Sequence, residues 1–202
     1  MIQHPLVHDA LMELRDVRTT PPAFRRAATR ISLLLAVEAL RPLHTVVTTV
    51  TTPLGPAEGR VVRTDVVVVP VLRAGLSMLD AVLQLIPSAR VGHIGLQRDE
   101  ATAVASRYYS KLPPDIGESH VLMVDPMLAT GGSSAAAIDL VKAAGARSIA
   151  LVCVISAPEG VALLQRTHPD VDIYTPVVDR ELDAHKFIVP GLGDFGDRLY
   201  GT

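Results

Sequence analysis

An uninterrupted apolar run constrains the fold of this chain most strongly. Residues 66–69 are four consecutive valines, and Pro70, Val71 and Leu72 continue the run. β-branched side chains favour strands, and a strand that is apolar at every position needs cover on both faces. A central strand of a parallel sheet meets that need. Because a proline removes one hydrogen bond from a ladder, we expect Pro70 at the exit of this strand.

Strand and helix patterns alternate along the rest of the chain. Apolar runs predict further strands at residues 90–96, 121–124, 148–155 and 171–175. Helical spacing follows three of the strands and ends near residues 86, 144 and 167. Two helices, at 8–16 and 23–40, and two strands, at 45–52 and 60–63, come first. Such alternation predicts an α/β fold with a mostly parallel sheet and right-handed crossovers.

Composition excludes several classes of function. A chain of 202 residues with 49% apolar residues fits a single domain with one core. The formal charge of −2 and the 3% aromatic content argue against nucleic-acid partners. No apolar run is long enough to span a bilayer, and the N-terminus lacks a signal-peptide pattern. Cys153 is the only cysteine and lies in an apolar run, so we expect a buried thiol and a cytoplasmic location.

The strongest chemical signal lies in residues 121–144. An apolar run ends at Asp125, a Gly-rich segment with three hydroxyls occupies residues 130–134, and a helical pattern follows. Glycines let a backbone approach an anion closely, and the N–H groups at a helix start favour a phosphate. Asp125 would repel a phosphate but can accept hydrogen bonds from sugar hydroxyls. A ligand with both a phosphate and a ribose satisfies both halves, whereas the simpler alternative is a strand–helix turn with an N-cap.

Three charged residues directly follow predicted strands. Arg73, Arg98 and Asp125 should therefore meet at the carboxyl edge of the sheet, where ligands bind in such folds. Arg73 is a candidate for binding pyrophosphate. Arg98 could equally well bind a ligand at this edge or form a surface ion pair with a neighbouring acid. Residues 97–114 are polar and predict a long loop of the kind that is usually functional.

The tail contains a misleading motif. Residues 191–196 match the dinucleotide-binding pattern G-x-G-x-x-G, but that pattern needs a following helix and a later acid that the six remaining residues cannot supply. We expect residues 179–202 to be irregular. Their glycines should shape a tight loop whose backbone groups face a ligand.

These segments together resemble the uracil phosphoribosyltransferase family, and the resemblance covers nearly the whole chain. Residues 125–133 look like the motif that binds phosphoribosyl pyrophosphate (PRPP). Pro126 follows the acid where the wider phosphoribosyltransferases usually have a second acid, which is characteristic of the uracil branch. The other similar segments are the pyrophosphate loop at 69–76, a family signature at 157–160, and the uracil site at 174–175 and 188–194.

The resemblance implies the conversion of uracil and PRPP to uridine monophosphate (UMP) and pyrophosphate in pyrimidine salvage. It implies a type I phosphoribosyltransferase-like fold with a core at about residues 65–175. Residues 1–64 and 176–202 would supply a hood and a β-hairpin arm. Magnesium would travel with the pyrophosphate, residues 97–114 would close over the site, and the chain would form a homodimer or a larger homo-oligomer. Some relatives respond to nucleotides, which makes GTP a possible effector.

The resemblance also assigns residues to roles. Asp125, Arg73 and Arg98 would be catalytic. The PRPP-binding residues would be Arg73, Arg98, Asp125, Pro126, Met127, Leu128, Ala129, Thr130, Gly131, Gly132, Ser133 and Asp194. The uracil-binding residues would be Ile188, Gly193, Asp194 and Phe195. No protein metal ligand is implied.

Some positions depart from the family pattern. Phe195 stands where the family usually has alanine, so an inward-pointing ring would narrow the base pocket or change the base accepted. Phe187 replaces a common tyrosine, and residues 104–107 differ from the usual lid sequence. Two alternatives therefore stay open: a sister enzyme for another base, and an RNA-binding regulator of pyrimidine operons on the same scaffold.

Overall fold

A computed structural model describes the backbone of residues 1–98 and 105–202 and the side chains of residues 1–97 and 107–202. The α-helices of this part are α1 (Pro5–Arg15), α2 (Pro21–Ala39), α3 (Leu76–Leu85), α4 (Gly132–Ala143), α5 (Pro158–Thr167) and α6 (Phe195–Tyr200). Its strands are β1 (Thr45–Thr52), β2 (Gly55–Val62), β3 (Val66–Leu72), β4 (Arg90–Val91), β5 (His93–Arg98), β6 (Ala105–Lys111), β7 (His120–Val124), β8 (Met127–Leu128), β9 (Ser148–Val152), β10 (Ile155–Ser156), β11 (Asp172–Tyr174), β12 (Glu181–Leu182) and β13 (Ile188–Val189).

The central sheet has the strand order β11-β9-β7-β3-β5-β6, and β4 also pairs with β3. Its neighbouring strands are parallel except for the antiparallel pair β5–β6 at one edge. Helices cover both faces of β3, as its sequence predicts. Val68 belongs to an apolar cluster with α1, α2, α3 and α6, whereas Val67 and Val69 belong to a cluster with α4 and α5. The predicted α/β class is confirmed.

Pro70 lies within β3 rather than at its exit, so that prediction is wrong. The carbonyl of Val68 accepts a hydrogen bond from Gly92 N at 2.9 Å. Because the backbone groups of alternate strand residues point to the same neighbouring strand, the nitrogen of Pro70 also faces the side of β4 and β5. The partner of β3 on this side changes from β4 at Val68 to β5 at Val71, so no pair of residues is formed at Pro70 on this side. The proline thus occupies a position where the sheet requires no donor.

Two other expectations need correction. The described parts of residues 97–114 are not only loop, because β5 continues to Arg98 and pairs antiparallel with β6, which runs to Lys111. Residues 99–104, which include much of the expected lid, lie outside the described residues. The tail is also more regular than its glycines suggest, since β12 and β13 form a hairpin and α6 follows.

The elements at the two ends of the chain lie together over one face of the sheet. Residues of α1, α2, β13 and α6 share a single buried apolar cluster with β3, β7 and β9. Strands β1 and β2 form a separate two-stranded antiparallel hairpin. Within the described part of the chain, every helix is too short or too polar to cross a membrane.

Candidate active site

The Gly-rich segment 125–133 leaves the carboxyl end of β7 and leads into α4. It is held in place by the chain that follows β9. The carbonyl of Pro126 accepts hydrogen bonds from Val154 N and Ile155 N at 3.0 and 3.1 Å. Strand β8, within the segment, pairs in parallel with β10. The segment is therefore a braced structure rather than a free loop.

Two glycines let this segment pack against the start of α5. Gly131 has a φ of +82°, a conformation that suits glycine, and a Cβ there would lie 3.0 Å from the Gly160 carbonyl oxygen. A Cβ on Gly160 would lie 2.5 Å from the carbonyl oxygen of Ala129. Residues 157–160, which include Gly160, therefore form part of the surface against which the segment rests.

The N-terminus of α4 can bind an anion. Its N-cap is Gly131, which has no side chain to satisfy the N–H groups of the first turn. Thr130 Oγ1 accepts a hydrogen bond from Gly132 N at 3.4 Å, and Ser133 is partly buried beside it. The helix dipole, the amides and these hydroxyls all favour a phosphate at this point.

Asp125 occupies an unfavourable place for a charge. The residue keeps some exposure, but the protein encloses its carboxyl group. Burial raises the pKa of Asp125 to about 7, and a hydrogen bond from Met127 N, at 3.3 Å, opposes the rise. Near neutral pH the carboxyl group is thus close to half ionised. Ligand hydroxyls that donate to it would favour the ionised form.

Arg73 lies on the same edge of the sheet as Asp125. It follows β3, whose Pro70 pairs with Val124 of β7, and its side chain is exposed. The Leu72–Arg73 peptide bond is cis. A Cβ on Gly75 would lie 2.4 Å from the Val124 carbonyl oxygen, so the turn after β3 needs glycine to approach the end of β7. The predicted meeting of Arg73 and Asp125 at one edge is confirmed.

Arg98 ends β5, the neighbour of β3 on its other side, so its backbone reaches the same edge. Its side chain lies outside the described residues. The roles of Arg73, Arg98 and Asp125 toward a ligand stay predictions.

A cavity of about 240 Å³ joins the Gly-rich segment to the tail. Its lining residues are Met127, Ala129, His185, Lys186, Phe187, Ile188, Gly193, Asp194 and Phe195. All four predicted uracil-binding residues are among them. Four larger clefts, of about 370, 360, 630 and 680 Å³, include no residue of segment 125–133 in their linings. The 240 Å³ cavity therefore combines the predicted base-binding residues with the Gly-rich segment.

Turns at glycine and proline shape the tail side of this cavity. The Val189–Pro190 peptide bond is cis, and Gly191 and Gly193 have φ angles of +60° and +80°. A Cβ on Gly191 would lie 2.0 Å from the Ile188 carbonyl oxygen, which excludes any other residue without a shift of the backbone. Asp194 begins α6 as its N-cap and accepts a hydrogen bond from Asp197 N at 2.9 Å. Backbone groups of this segment can therefore be held in a fixed arrangement.

Phe195 borders the cavity, but its ring packs into the core. The residue is 1% exposed, and its ring lies edge-on against Phe24. An inward-pointing ring that narrows the base pocket is therefore not observed. Phe187, by contrast, is 48% exposed at the other side of the cavity.

Several residues that hold the tail in place are missed by sequence reasoning. Arg15 pairs with Asp179, and Arg198 donates hydrogen bonds to the carbonyls of Leu192 and Asp16 at 2.8 and 2.6 Å. The guanidinium of Arg198 also lies over the ring of Phe24, 4.6 Å from its centroid. The contacts of Arg15 with Asp179 and of Arg198 with Asp16 join residues more than 160 positions apart, so no local pattern in the sequence signals them.

Comparisons with known proteins agree with this geometry. A family model described as uracil phosphoribosyltransferase matches residues 1–202. A uracil phosphoribosyltransferase of Dictyoglomus thermophilum is 53% identical, with 100% of this chain and 98% of that protein covered. A uracil phosphoribosyltransferase of Thermus thermophilus is 47% identical, with 100% of this chain and 98% of that protein covered.

Solved structures also resemble the chain. The AQ2163 protein from Aquifex aeolicus superposes with a TM-score of 0.94 at 35% identity, covering 100% of this chain and 97% of that one. A hypoxanthine-guanine phosphoribosyltransferase from Bacillus anthracis superposes with a TM-score of 0.54 at 13% identity, covering 79% and 80%. The second likeness shows a shared fold only.

Proposed function

The chain belongs to the uracil phosphoribosyltransferase family, and we propose that the cavity between its Gly-rich segment and its tail is where uracil and PRPP react. A bond forms between a uracil nitrogen and the anomeric carbon of the ribose, while the bond from that carbon to pyrophosphate breaks. The products are UMP and pyrophosphate, as in pyrimidine salvage. One observation carries the assignment: the 240 Å³ cavity lies directly between segment 125–133 and the tail loop.

The Gly-rich segment would hold the phosphoribosyl group. The phosphate of the ribose would lie at the N-terminus of α4, against residues 130–133, because amides and hydroxyls converge there. Asp125 would accept hydrogen bonds from the ribose hydroxyls. Pro126, Met127, Leu128 and Ala129 connect these two subsites through the β8–β10 pairing.

Main-chain groups of the tail would recognise uracil. The edge of uracil alternates C=O and N–H groups, so a rigid loop can match it with complementary backbone donors and acceptors. Ile188, Gly193 and Phe195 border the cavity, and Asp194 would stand between the base and the ribose. Cytosine would place a donor where uracil has an acceptor, which leaves buried groups unpaired and opposes binding.

Catalysis would depend on position and charge rather than on a covalent intermediate. The transition state is oxocarbenium-like at the ribose, so alignment of the base and the sugar contributes much of the rate. Arg73 and Arg98 would stabilise the charge that develops on the departing pyrophosphate. Residues 97–114 would close over the site and exclude water, which would otherwise hydrolyse PRPP.

Magnesium fits this arrangement as a partner of PRPP. Among the described residues no group of three His, Cys, Asp or Glu side chains could hold a metal ion. Mg²⁺ usually binds through substrate phosphates, waters and one or two carboxylates. A cation held by PRPP near Asp125 would oppose the penalty that burial places on the charge of this carboxyl group. When bound, the ion would neutralise charge on the pyrophosphate.

A homodimer is the assembly that the exposed apolar side chains of the β1–β2 hairpin support. Val47, Val50 and Leu54 are 55%, 54% and 100% exposed. An isolated two-stranded hairpin is only marginally stable in water, so a second subunit would bury this surface. Light scattering on the purified protein should give twice the mass of one chain, and Val50→Lys should favour the monomer.

The regulation of the enzyme by GTP stays a prediction from the resemblance. Its test is the rate of UMP formation as a function of GTP concentration.

Replacing Arg73 tests the assignment of the pyrophosphate subsite. Arg73→Ala should lower kcat by roughly 100-fold, because one source of transition-state stabilisation is lost, while the KM for uracil changes little. Arg41→Ala is the matched control, since Arg41 is exposed and pairs with Glu38 at the end of α2. A wild-type kcat in Arg73→Ala would remove Arg73 from the proposed role.

A further inference from the structure

An ion pair joins helix α1 to the chain that precedes the tail loop. Arg15 Nη2 donates to Asp179 Oδ1 at 2.6 Å, and Arg15 Nη1 donates to Asp179 Oδ2 at 2.9 Å. The pair is shielded from solvent, since the side chains of Asp179 and Arg15 are 4% and 18% exposed. Because water screens this contact little, its geometry is held far more tightly than that of a surface ion pair.

The same pair binds both backbone polar groups of Gly191. Arg15 Nη1 donates to the Gly191 carbonyl at 2.8 Å, and Asp179 Oδ2 accepts from Gly191 N at 2.8 Å. Gly191 is buried and lies between Ile188 and Gly193, two residues that line the base cavity. The two charged side chains therefore fix the turn from which the base-binding backbone emerges.

The backbone of Asp179 is fixed to the Gly-rich segment on the other side. Asp179 N donates to the Ser156 carbonyl at 2.8 Å. Ser156 pairs with Leu128 between β10 and β8. A short path thus runs from the segment assigned to PRPP, through Ser156 and Asp179, to Gly191 in the tail loop. The side chain of Asp179 is the step of this path that reaches the tail.

Charge and burial make the Arg15–Asp179 ion pair costly to break. Burial opposes ionisation of Asp179, but hydrogen bonds from Arg15 and Gly191 outweigh it and hold the pKa of this carboxyl below its ordinary value. Removal of either partner would leave a buried charge and an unpaired Gly191. Loss of the pair would therefore free the loop to move.

We propose that Arg15 and Asp179 are positioning residues for uracil, which set the distance between the base-binding loop and the bound phosphoribosyl group. The inference rests on the proposed function. Neither side chain lines the cavity, so both act through Gly191. Since side-chain replacements leave the Asp179–Ser156 backbone contact in place, the PRPP subsite should keep its shape when the pair is broken.

Steady-state kinetics of Arg15→Met and Asp179→Asn test the inference. The KM for uracil should rise roughly 10-fold or more, because a small displacement of the loop misaligns the base. The KM for PRPP should stay within about twofold of wild type, as expected for a subsite that the pair does not touch. Arg15→Lys should be intermediate, since an ammonium keeps the charge but not the planar fork.

Arg18→Met is the matched control. Arg18 also forms a 2.6 Å ion pair, with Asp16 in the segment that follows α1, but its side chain is 86% exposed. Its removal should leave both KM values unchanged. Thermal unfolding of each variant separates a loss of stability from a loss of base binding.

Two results would overturn the inference. If Arg15→Met unfolds at a lower temperature but keeps the wild-type ratio of the two KM values, the pair serves stability alone. If Arg15→Met does not fold, a wild-type ratio of the two KM values in Arg15→Lys and Asp179→Asn would also show that the pair serves stability alone.

The same experiments separate this inference from the proposed function. A wild-type protein that forms no UMP contradicts the proposed function. An active wild type whose variants keep the wild-type KM values contradicts only the role of the pair.

Discussion

The ring of Phe195 lies edge-on against the ring of Phe24, with the ring centroids 5.0 Å apart and the planes at 69°. This contact turns the aromatic side chain of Phe195 into the core that α2 shares with the tail. The ring packs against Phe24, although Phe195 borders the 240 Å³ cavity.

Phe195→Ala should therefore alter stability and not base choice. The variant loses a buried ring and its contact with Phe24, so the free energy of unfolding should fall by about 3–5 kcal/mol. The variant should still use uracil and should form no nucleotide from cytosine, as expected for the wild type. Denaturant unfolding and nucleotide formation with each base measure these quantities. Phe187→Ala is the stability control, because Phe187 is half exposed, and nucleotide formation from cytosine by Phe195→Ala would contradict the account.

The pKa of Asp125 predicts how the use of PRPP depends on pH. With a pKa of about 7, the free enzyme loses the ionised carboxylate as the pH falls below that value. We expect kcat/KM for PRPP to fall by about 10-fold per pH unit there, if binding needs the carboxylate. Asp125→Asn should have a lower kcat/KM for PRPP, and this value should not fall further at acid pH. The variant also controls for titration of the PRPP phosphates. An equal fall of kcat/KM at acid pH in both proteins would contradict the role of Asp125.

Asp125 should affect the use of PRPP and the free energy of unfolding in opposite directions as the pH rises. The folded pKa of Asp125 lies above its ordinary value of 3.8, so between these two values the folded state binds more protons than the unfolded state. The contribution of Asp125 to stability is then fully present below pH 3.8 and is lost as the pH rises to about 7. The full shift corresponds to about 4 kcal/mol.

Asp125→Asn removes this titration, so its stability relative to wild type should rise across the same pH range. Urea unfolding of both proteins at a series of pH values measures the difference. Asp80→Asn, on the exposed side of α3, is the matched control and should show no such trend. A constant difference between Asp125→Asn and wild type would show that burial does not raise the pKa.

Gly160→Ala should impair PRPP binding without touching the ligand. The new Cβ would lie 2.5 Å from the Ala129 carbonyl oxygen, so the Gly-rich segment must move. We expect the KM for PRPP to rise roughly 10-fold and stability to fall by about 1–3 kcal/mol. Gly59→Ala is the control, because a Cβ there meets no atom within 4 Å. A wild-type KM in a folded Gly160→Ala would mean that this contact does not shape the PRPP subsite.

The parts of the fold that follow from local patterns could be predicted. The valines of β3, the run before Asp125 and the glycines after it identify a parallel sheet with a Gly-rich helix start at one edge. Pro70 was misplaced because its tolerance depends on where β3 changes partner from β4 to β5, which only the sheet reveals. The regular tail was missed because its hairpin and helix are short and gain stability from packing against α1 and α2.

The contacts that hold the tail in place could not be predicted for a similar reason. Arg15 and Asp179 are 164 positions apart, and neither stands in a motif. The direction of the Phe195 ring depends on Phe24, which belongs to a different helix. Sequence patterns indicate which residues are chemically suited to a site, whereas long-range packing decides where their side chains point.

Formation of UMP tests the central claim most directly. The purified protein, incubated with PRPP, magnesium and one base at a time, should form UMP and release an equal amount of pyrophosphate with uracil. Cytosine, adenine and hypoxanthine should give no nucleotide above background. Release of pyrophosphate with another base, or the absence of UMP from a folded protein, would contradict the account.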